Sequence, residues 1–262
     1  MNEGRIPTVL LLAGAVILLF LLVPVVVVVL AAFSNTEYLA VPPQGFTLRW
    51  FAQVLQDETY LASIRFSLVL AVTATALAAV IALPACYALH QRWLPGAETI
   101  AGLLMSPLIF PAVVVGVALL QYAAMVGLRG SFPFLVLVHA AIVSPYIVRT
   151  VLGSLAGFDP ALEDAARVLG TTRAGAFALV VLPSIRPGLI AGLVFAFITS
   201  FDEFTVTVFL LPPGQATLPV TMFTAIEQGV DPSVAAVSTL MIVVTGLLLL
   251  LSERLSGASR PI

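Results

Sequence analysis

An all-α, polytopic membrane protein of six transmembrane helices is the fold class this sequence predicts, and three observations predict it. Hydrophobic residues make up 61% of the 262 residues and charged residues 9%, against ~45–50% and ~25% in a typical soluble domain. Mean hydropathy is +1.14. Six stretches are each long and apolar enough to cross ~30 Å of hydrocarbon, which takes ~20 residues. So few charges cannot cover a folded chain of this length in water, so the lipid bilayer is the solvent for most of it.

The first stretch runs from about Thr8 to Phe33 and is interrupted only by Pro24. It exceeds the ~7–15-residue apolar core of a signal peptide and reads as a retained helix. The others run from about Ile64 to Leu89, Thr99 to Val126, Phe134 to Leu155, Gly188 to Leu211 and Ser233 to Leu251. Pro84, Pro107, Pro111 and Pro145 fall inside spans, where neighbouring helices re-satisfy the freed carbonyls. Kinks around a cavity and kinks facing lipid both fit. The spans leave a long first outer loop, Ser34 to about Ser63, with the turn-forming run Val41-Pro42-Pro43-Gln44-Gly45. The longest polar cytoplasmic stretch is Gly157 to Pro187. No linker to a soluble domain is visible, and 1–262 reads as a single transmembrane domain.

Arginine placement orients the chain. With the N-terminus inside, Arg5, Arg92, Arg149, Arg167, Arg173, Arg186, Arg254 and Arg260 fall on the cytoplasmic side, and Arg49, Arg65 and Arg129 outside. Arg65 sits at the edge of a span. The asymmetry puts both termini in the cytoplasm.

Composition also excludes function classes. A net charge of -2 without clustered cations gives no nucleic acid a surface to bind. One cysteine, Cys86, allows neither an internal disulfide nor a cysteine metal cluster. All 11 basic residues are arginine, so the lysine of a Walker-type nucleotide site is missing and any ATP must be bound by another subunit. No His-Glu-x-x-His motif occurs, and His90 and His139 form no metal constellation; no metal, cofactor or catalytic residue is expected. His139 reads as an interhelical hydrogen-bonding residue.

The loop between spans four and five has the marks of ordered structure. Asp159 suits an N-cap and Pro160 the first helical position. Leu162, Ala165, Ala166 and Leu169 recur at helical spacing, and Gly170 supplies the stop. A second helix starts at Thr171 or Thr172 and runs to Leu182, ending at Pro183. A docking element for a soluble partner and a capped loop at the bilayer boundary both fit that pattern.

The run Glu163-Asp164-Ala165-Ala166-Arg167-Val168-Leu169-Gly170, followed by Val180-Val181-Leu182-Pro183, resembles the EAA loop of permease subunits of binding-protein-dependent ABC importers. That pattern reads Glu-Ala-Ala, three residues, Gly, nine residues, Ile, one residue, Leu-Pro. Aligned on Gly170, Asp164 takes the glutamate position and Val180 the isoleucine, with Glu163 available one position earlier. Ser200-Phe201-Asp202-Glu203, Phe209-Leu210, Thr217-Leu218-Pro219 and Met222 resemble the spermidine/putrescine branch, as do Pro42-Pro43 and Gly45-Phe46-Thr47-Leu48-Arg49-Trp50-Phe51. The branch resemblance is to the second of its two permease subunits. It implies the type I importer permease fold in a bacterial inner membrane, with the loop as a coupling helix. It also implies a second permease subunit, two ATP-binding cassette subunits, an extracytoplasmic solute-binding protein and a small-molecule substrate such as a polyamine. Glu163, Asp164, Ala165, Ala166, Gly170, Leu182 and Pro183 are the coupling residues it implies.

Asp202 and Glu203 are the acidic residues deep inside a span, where a charge costs ~2.5–3.5 kcal/mol on insertion scales. On a continuous helix they point ~100° apart, one toward a pathway and one toward a neighbouring helix. With Phe201 they form a candidate path for a polycation; an interhelical clamp and a carboxylate held protonated by burial are the alternatives. An importer of another small organic solute remains open. So does an ion-coupled secondary transporter using Asp202 and Glu203, although it needs no docking loop.

Overall fold

The computed structural model describes residues 8–93, 95–229 and 231–256; Arg5 and Arg260 lie outside them. Every regular element among them is helical. In chain order these are α1 (Thr8–Ala31), α2 (Arg49–Gln56), α3 (Glu58–His90), α4 (Ala97–Met105) with a 3₁₀ turn at Ser106–Leu108, α5 (Ala112–Met125) and α6 (Phe132–Ala156). Then come α7 (Pro160–Val168), α8 (Arg173–Ala176), a π turn at Phe177–Val181, α9 (Leu182–Ser184), α10 (Arg186–Asp202), α11 (Thr207–Leu210), α12 (Leu218–Gln228) and α13 (Pro232–Ser256).

Among the described residues four helices, α1, α3, α6 and α13, are each long and apolar enough to span. Two bent pairs bring the number to six, each pair counted as one span. The first bend falls at prolines expected to kink the chain, and the second lies ahead of the expected start of the fifth span. The third span is bent by 94° between Leu108 and Ala112. Pro107 and Pro111 have no N–H to continue the ladder, so the chain leaves α4 through the 3₁₀ turn and restarts with Pro111 as the N-cap residue of α5. The fifth span begins earlier than Gly188, at Arg186, after a 73° bend from Arg173–Ser184. It also stops earlier than Leu211, at Asp202, where Glu203 turns extended (φ -69°, ψ 113°). The second helical arm of the loop between spans four and five runs past its expected end at Pro183 to Ser184. Pro183 cannot donate to the carbonyl one turn back, and the turn before it widens into the π form.

The chain divides into two compact units. One joins the described residues up to Leu61 with those of 222–244; within it the Tyr60 and Ser233 hydroxyls lie 3.3 Å apart. The other comprises Ala62–Thr221 and the described residues from Thr245 on. Its core is built on α6, whose Val143, Ile147, Val148, Val151 and Leu155 are buried with Ala78, Ala82 and Cys86 of α3.

Along α6 runs α10, and the contact is backbone-close. Gly188, Gly192, Ala196 and Ser200 recur every fourth residue and so share one face. A Cβ on Gly188 would collide with Ser154 Oγ and lie 2.5 Å from the Thr150 carbonyl oxygen. One on Gly192 would strike Thr150 Oγ1 and lie 2.9 Å from Ile147 Cα. Ala196 and Ser200, farther along, are buried. Small residues allow this approach, and in lipid such close packing replaces the hydrophobic drive between helices.

Gly192→Leu is therefore expected to lower the apparent melting temperature of the detergent-solubilised chain, at an overpacking cost of ~1–3 kcal/mol or more. Gly246→Leu, at a helical glycine with open space around its Cβ position, should leave it unchanged. Equal melting temperatures for the two variants would contradict the packing.

Candidate functional site

Two places in the second unit carry the residues singled out from sequence. The first is the helical hairpin after α6. Asp159 Oδ1 accepts the Ala161 N–H at 3.0 Å, with Pro160 in the first turn. Gly170, at φ +96°, ends the arm in a conformation that side-chain-bearing residues resist. The Thr171 hydroxyl donates to the Ala166 carbonyl at 2.6 Å, and Thr172 Oγ1 caps α8 by accepting the Gly175 N–H at 3.1 Å.

Neighbouring carboxylates on α7 point opposite ways. Glu163 is 4% exposed and accepts hydrogen bonds from the Tyr87 hydroxyl and from Gln91 Nε2 (2.8 Å), at the end of α3. A buried carboxylate needs such donors to offset its lost hydration. The Tyr87 ring packs on Trp93 and Phe177 at 5.3 and 4.7 Å, and the Arg173 guanidinium lies 5.3 Å over Trp93. Asp164, by contrast, is exposed and pairs with Arg167 of its own helix, at 3.7 Å. Leu162, Val168 and Leu169 are 53%, 86% and 86% exposed, Ala165 is exposed, and Ala166 is half-buried. The hairpin thus has an anchored side and an uncovered apolar side. Leu182 is half-buried and Pro183 exposed, both on the second arm.

The second place is the break after α10. Asp202 and Glu203 do not continue a helix, which corrects the ~100° relation expected for them. Asp202 is the last helical residue and is exposed; Phe201 is half-buried and stacks on Phe197 at 6.0 Å. Glu203 turns its carboxylate onto its own backbone: Oε1 accepts the Val206 N–H at 2.6 Å. Its carbonyl accepts from Thr207 Oγ1 at 2.7 Å.

His139, fully buried on α6, spans the break. Nδ1 lies 2.9 Å from Ser200 Oγ on α10 and Nε2 lies 3.0 Å from Thr207 Oγ1 on α11. The protons follow by elimination. A carbonyl only accepts, so the Thr207 hydroxyl hydrogen goes to Glu203, and Thr207 accepts from Nε2–H. In an uncharged ring Nδ1 then accepts from Ser200. The residue expected as an interhelical hydrogen-bonding group bridges two helices and a break.

Tyr87, Gln91 and Thr207 were not singled out from sequence, and Ser200 only as part of the branch motif, not as a partner of His139. Tyr87 and Gln91 are one helical turn apart, which puts them on one face, but nothing local names Glu163 as their partner.

No family model matches the chain. A probable molybdenum ABC transporter permease protein from Haloferax volcanii is 32% identical over 203 residues, which cover 74% of this chain and 75% of the relative. The chain belongs to the ABC transporter permease family. Two Escherichia coli K12 proteins are also similar to this permease. The spermidine/putrescine transport system permease protein PotC is 27% identical over 219 residues, covering 84% of this chain and 83% of PotC. The putrescine transport system permease protein PotI is 29% identical over 220 residues, covering 81% of this chain and 78% of PotI. Among solved structures, a chain of a bacterial ABC transporter involved in the import of alginate superposes with a TM-score of 0.72 at 14% identity, over 97% of this chain and 99% of the other. A chain of the MetNI methionine ABC transporter gives 0.61 at 19% identity, over 78% and 97%. The all-helical, multi-pass fold is that of ABC importer permeases.

The permease's two α7 carboxylates should behave differently. Tyr87→Phe, which leaves Glu163 one donor short, is expected to destabilise by ~1–3 kcal/mol and to speed proteolysis within 157–187. Asp164→Ala should stay within ~0.5 kcal/mol of the parent. Thermal unfolding in detergent with timed proteolysis checks both; equal behaviour would contradict the assigned orientations.

Proposed function

We propose that the chain is the transmembrane subunit of an ATP-driven importer, forming half of its translocation pathway as one permease domain over 1–262. A second permease subunit completes the path, two ATP-binding cassette subunits supply ATP hydrolysis, and an extracytoplasmic solute-binding protein delivers a small solute, most specifically a polyamine. The arginine asymmetry supports cytoplasmic termini. The observation that carries the reading is the uncovered apolar side of the α7 hairpin. Leu162, Val168 and Leu169 stand out from an arm that Glu163 anchors from behind, at the spacing of the coupling loop. Glu163 acts as the anchor, Asp164, Ala165 and Ala166 lie along the contact arm, and Gly170 sets its end. Leu182 and Pro183 join the second arm to α10.

Gly170→Val places a β-branched residue at φ +96°, which its side chain resists. It is expected to abolish binding-protein-stimulated ATP hydrolysis and uptake by the reconstituted complex while the chain still inserts. Wild-type stimulation in that variant would remove the coupling role.

For the solute, the break separates two carboxylates by use: Glu203 caps Val206 and Asp202 is exposed. Asp202 is the pathway residue on this reading, with Phe201 beside it and Glu203 holding the break. The names of PotC and PotI support a polyamine. Asp202→Asn should slow uptake per assembled complex several-fold, more for a triamine than for a diamine, because each added charge loses attraction in a poorly screened cavity. Glu203→Gln keeps an acceptor oxygen for Val206 and should leave the triamine-to-diamine ratio unchanged. An unchanged ratio and rate in Asp202→Asn would argue against a cationic solute and leave the importer reading intact. Another small solute is the second reading, favoured by the molybdenum in the name of the Haloferax volcanii relative.

A further inference from the structure

The first outer loop is folded against the end of α1. The Thr47 N–H donates to the Phe33 carbonyl at 3.0 Å, and the Asn35 N–H to the Gln44 carbonyl at 3.1 Å. Trp50 Nε1 donates to the Ser34 carbonyl at 2.8 Å. The Phe33 ring, two residues past the end of α1, stacks on Phe46 at 5.2 Å and meets Phe51 at 5.1 Å. These contacts hold α2 at the level where the α1 span ends.

With ~100° per residue, α2 has three sides. Trp50 and Val54 point inward and are buried, at 5% and 0% exposure. Arg49, Gln53 and Gln56 make a polar side that, with Ala52 and Asp57, lines an open cavity. Between them Leu55 is 57% exposed, next to Leu48 at the N-cap (59%) and Phe46 (74%). That row carries no charge. It lies beside the end of α1, whose apolar window has no buried residue and whose last turns expose Val26, Val27 and Leu30.

We propose that α2 is an interfacial lipid anchor. It lies in the headgroup region on its side of the bilayer, with Phe46, Leu48 and Leu55 among the acyl chains and Arg49, Gln53 and Gln56 toward water. The occupant is lipid for two reasons. The contacts to Phe33 and Ser34 fix the row at the boundary of a span, and the apolar surface is continuous with that of the span. A short helix with one apolar and one polar side binds an interface in this way. The Arg49 guanidinium, 4.3 Å over the Trp50 ring, has its charge at headgroup height and its stem along the aromatic surface.

The test is nitroxide accessibility on the full chain in phosphatidylethanolamine–phosphatidylglycerol vesicles. Single labels go at Leu55→Cys, Phe46→Cys and Gln53→Cys in a Cys86→Ala background. The ratio of collisions with oxygen to collisions with a water-soluble nickel chelate is expected to be about tenfold higher at Leu55 and Phe46 than at Gln53. A ratio at Leu55 equal to that at Gln53 would place α2 in water and overturn the anchor. Low collision rates with both reagents at Leu55 would mean that protein covers the row, and would overturn it equally. Leu48→Cys, on the same row but outside the Phe33 stack, repeats the measurement if the Phe46 label disturbs the loop.

Discussion

The packing of α10 on α6, with bare backbone at Gly188 and Gly192, sets the position of everything else argued for this permease. Between helices in a bilayer there is no hydrophobic gain, because lipid tails are as apolar as leucine. What holds the pair is close contact and interhelical hydrogen bonding, and the small-residue face of α10 supplies both. At one end Gly188 sits on Ser154, just before the chain turns out into the hairpin. At the other end Ser200 reaches His139. Both candidate places are thus ends of a single helix–helix contact.

The two ends are built in different ways. At the start of α10 the bend is a proline matter: Pro183 and Pro187 withhold N–H groups, and the backbone widens into a π turn and then turns at Ile185. At its end no proline intervenes. Glu203 competes for the backbone itself, taking the Val206 N–H and opening the helix. The β-branched run Thr205-Val206-Thr207-Val208 offers little propensity to close it again. His139 then ties both sides of the opening to α6. Between these ends α10 is a 17-residue rod, so a shift of the hairpin has a rigid element along which to reach the break.

Much of this was legible in the chain. Apolar runs gave the spans, because length and composition are local properties. Asp159-Pro160, Gly170 and Thr172 gave the caps and turn of the hairpin, again through local chemistry. The four-residue spacing of Gly188, Gly192, Ala196 and Ser200 was equally readable, and so was the three-residue spacing of Glu203 and Val206 that makes a cap. The continuous fifth span was expected because hydropathy does not register a side chain that takes a backbone hydrogen bond. What no local pattern could give were partners distant in sequence. Tyr87 and Gln91 lie 76 and 72 residues from Glu163, and His139 lies 61 from Ser200. Those pairings exist only once α3, α6 and α10 are assembled. That is why Glu163 and Asp164 looked interchangeable in sequence and are opposite in structure.

The handling of carboxylates bears on the solute. A bilayer makes each unpaired charge costly, and this permease disposes of its carboxylates in distinguishable ways. Glu163 is sunk beneath two neutral donors. Glu203 is spent on a backbone N–H. Asp202 is left exposed at the C-terminal end of α10, where the helix macrodipole is already negative. A carboxylate at that end raises the local negative potential instead of relieving it. On the proposed reading, a cation arriving there meets the carboxylate and the last helix carbonyls together. An anion would meet both as a barrier. On the proposed reading, the acid that looks worst placed for the fold is the one best placed for a cationic solute.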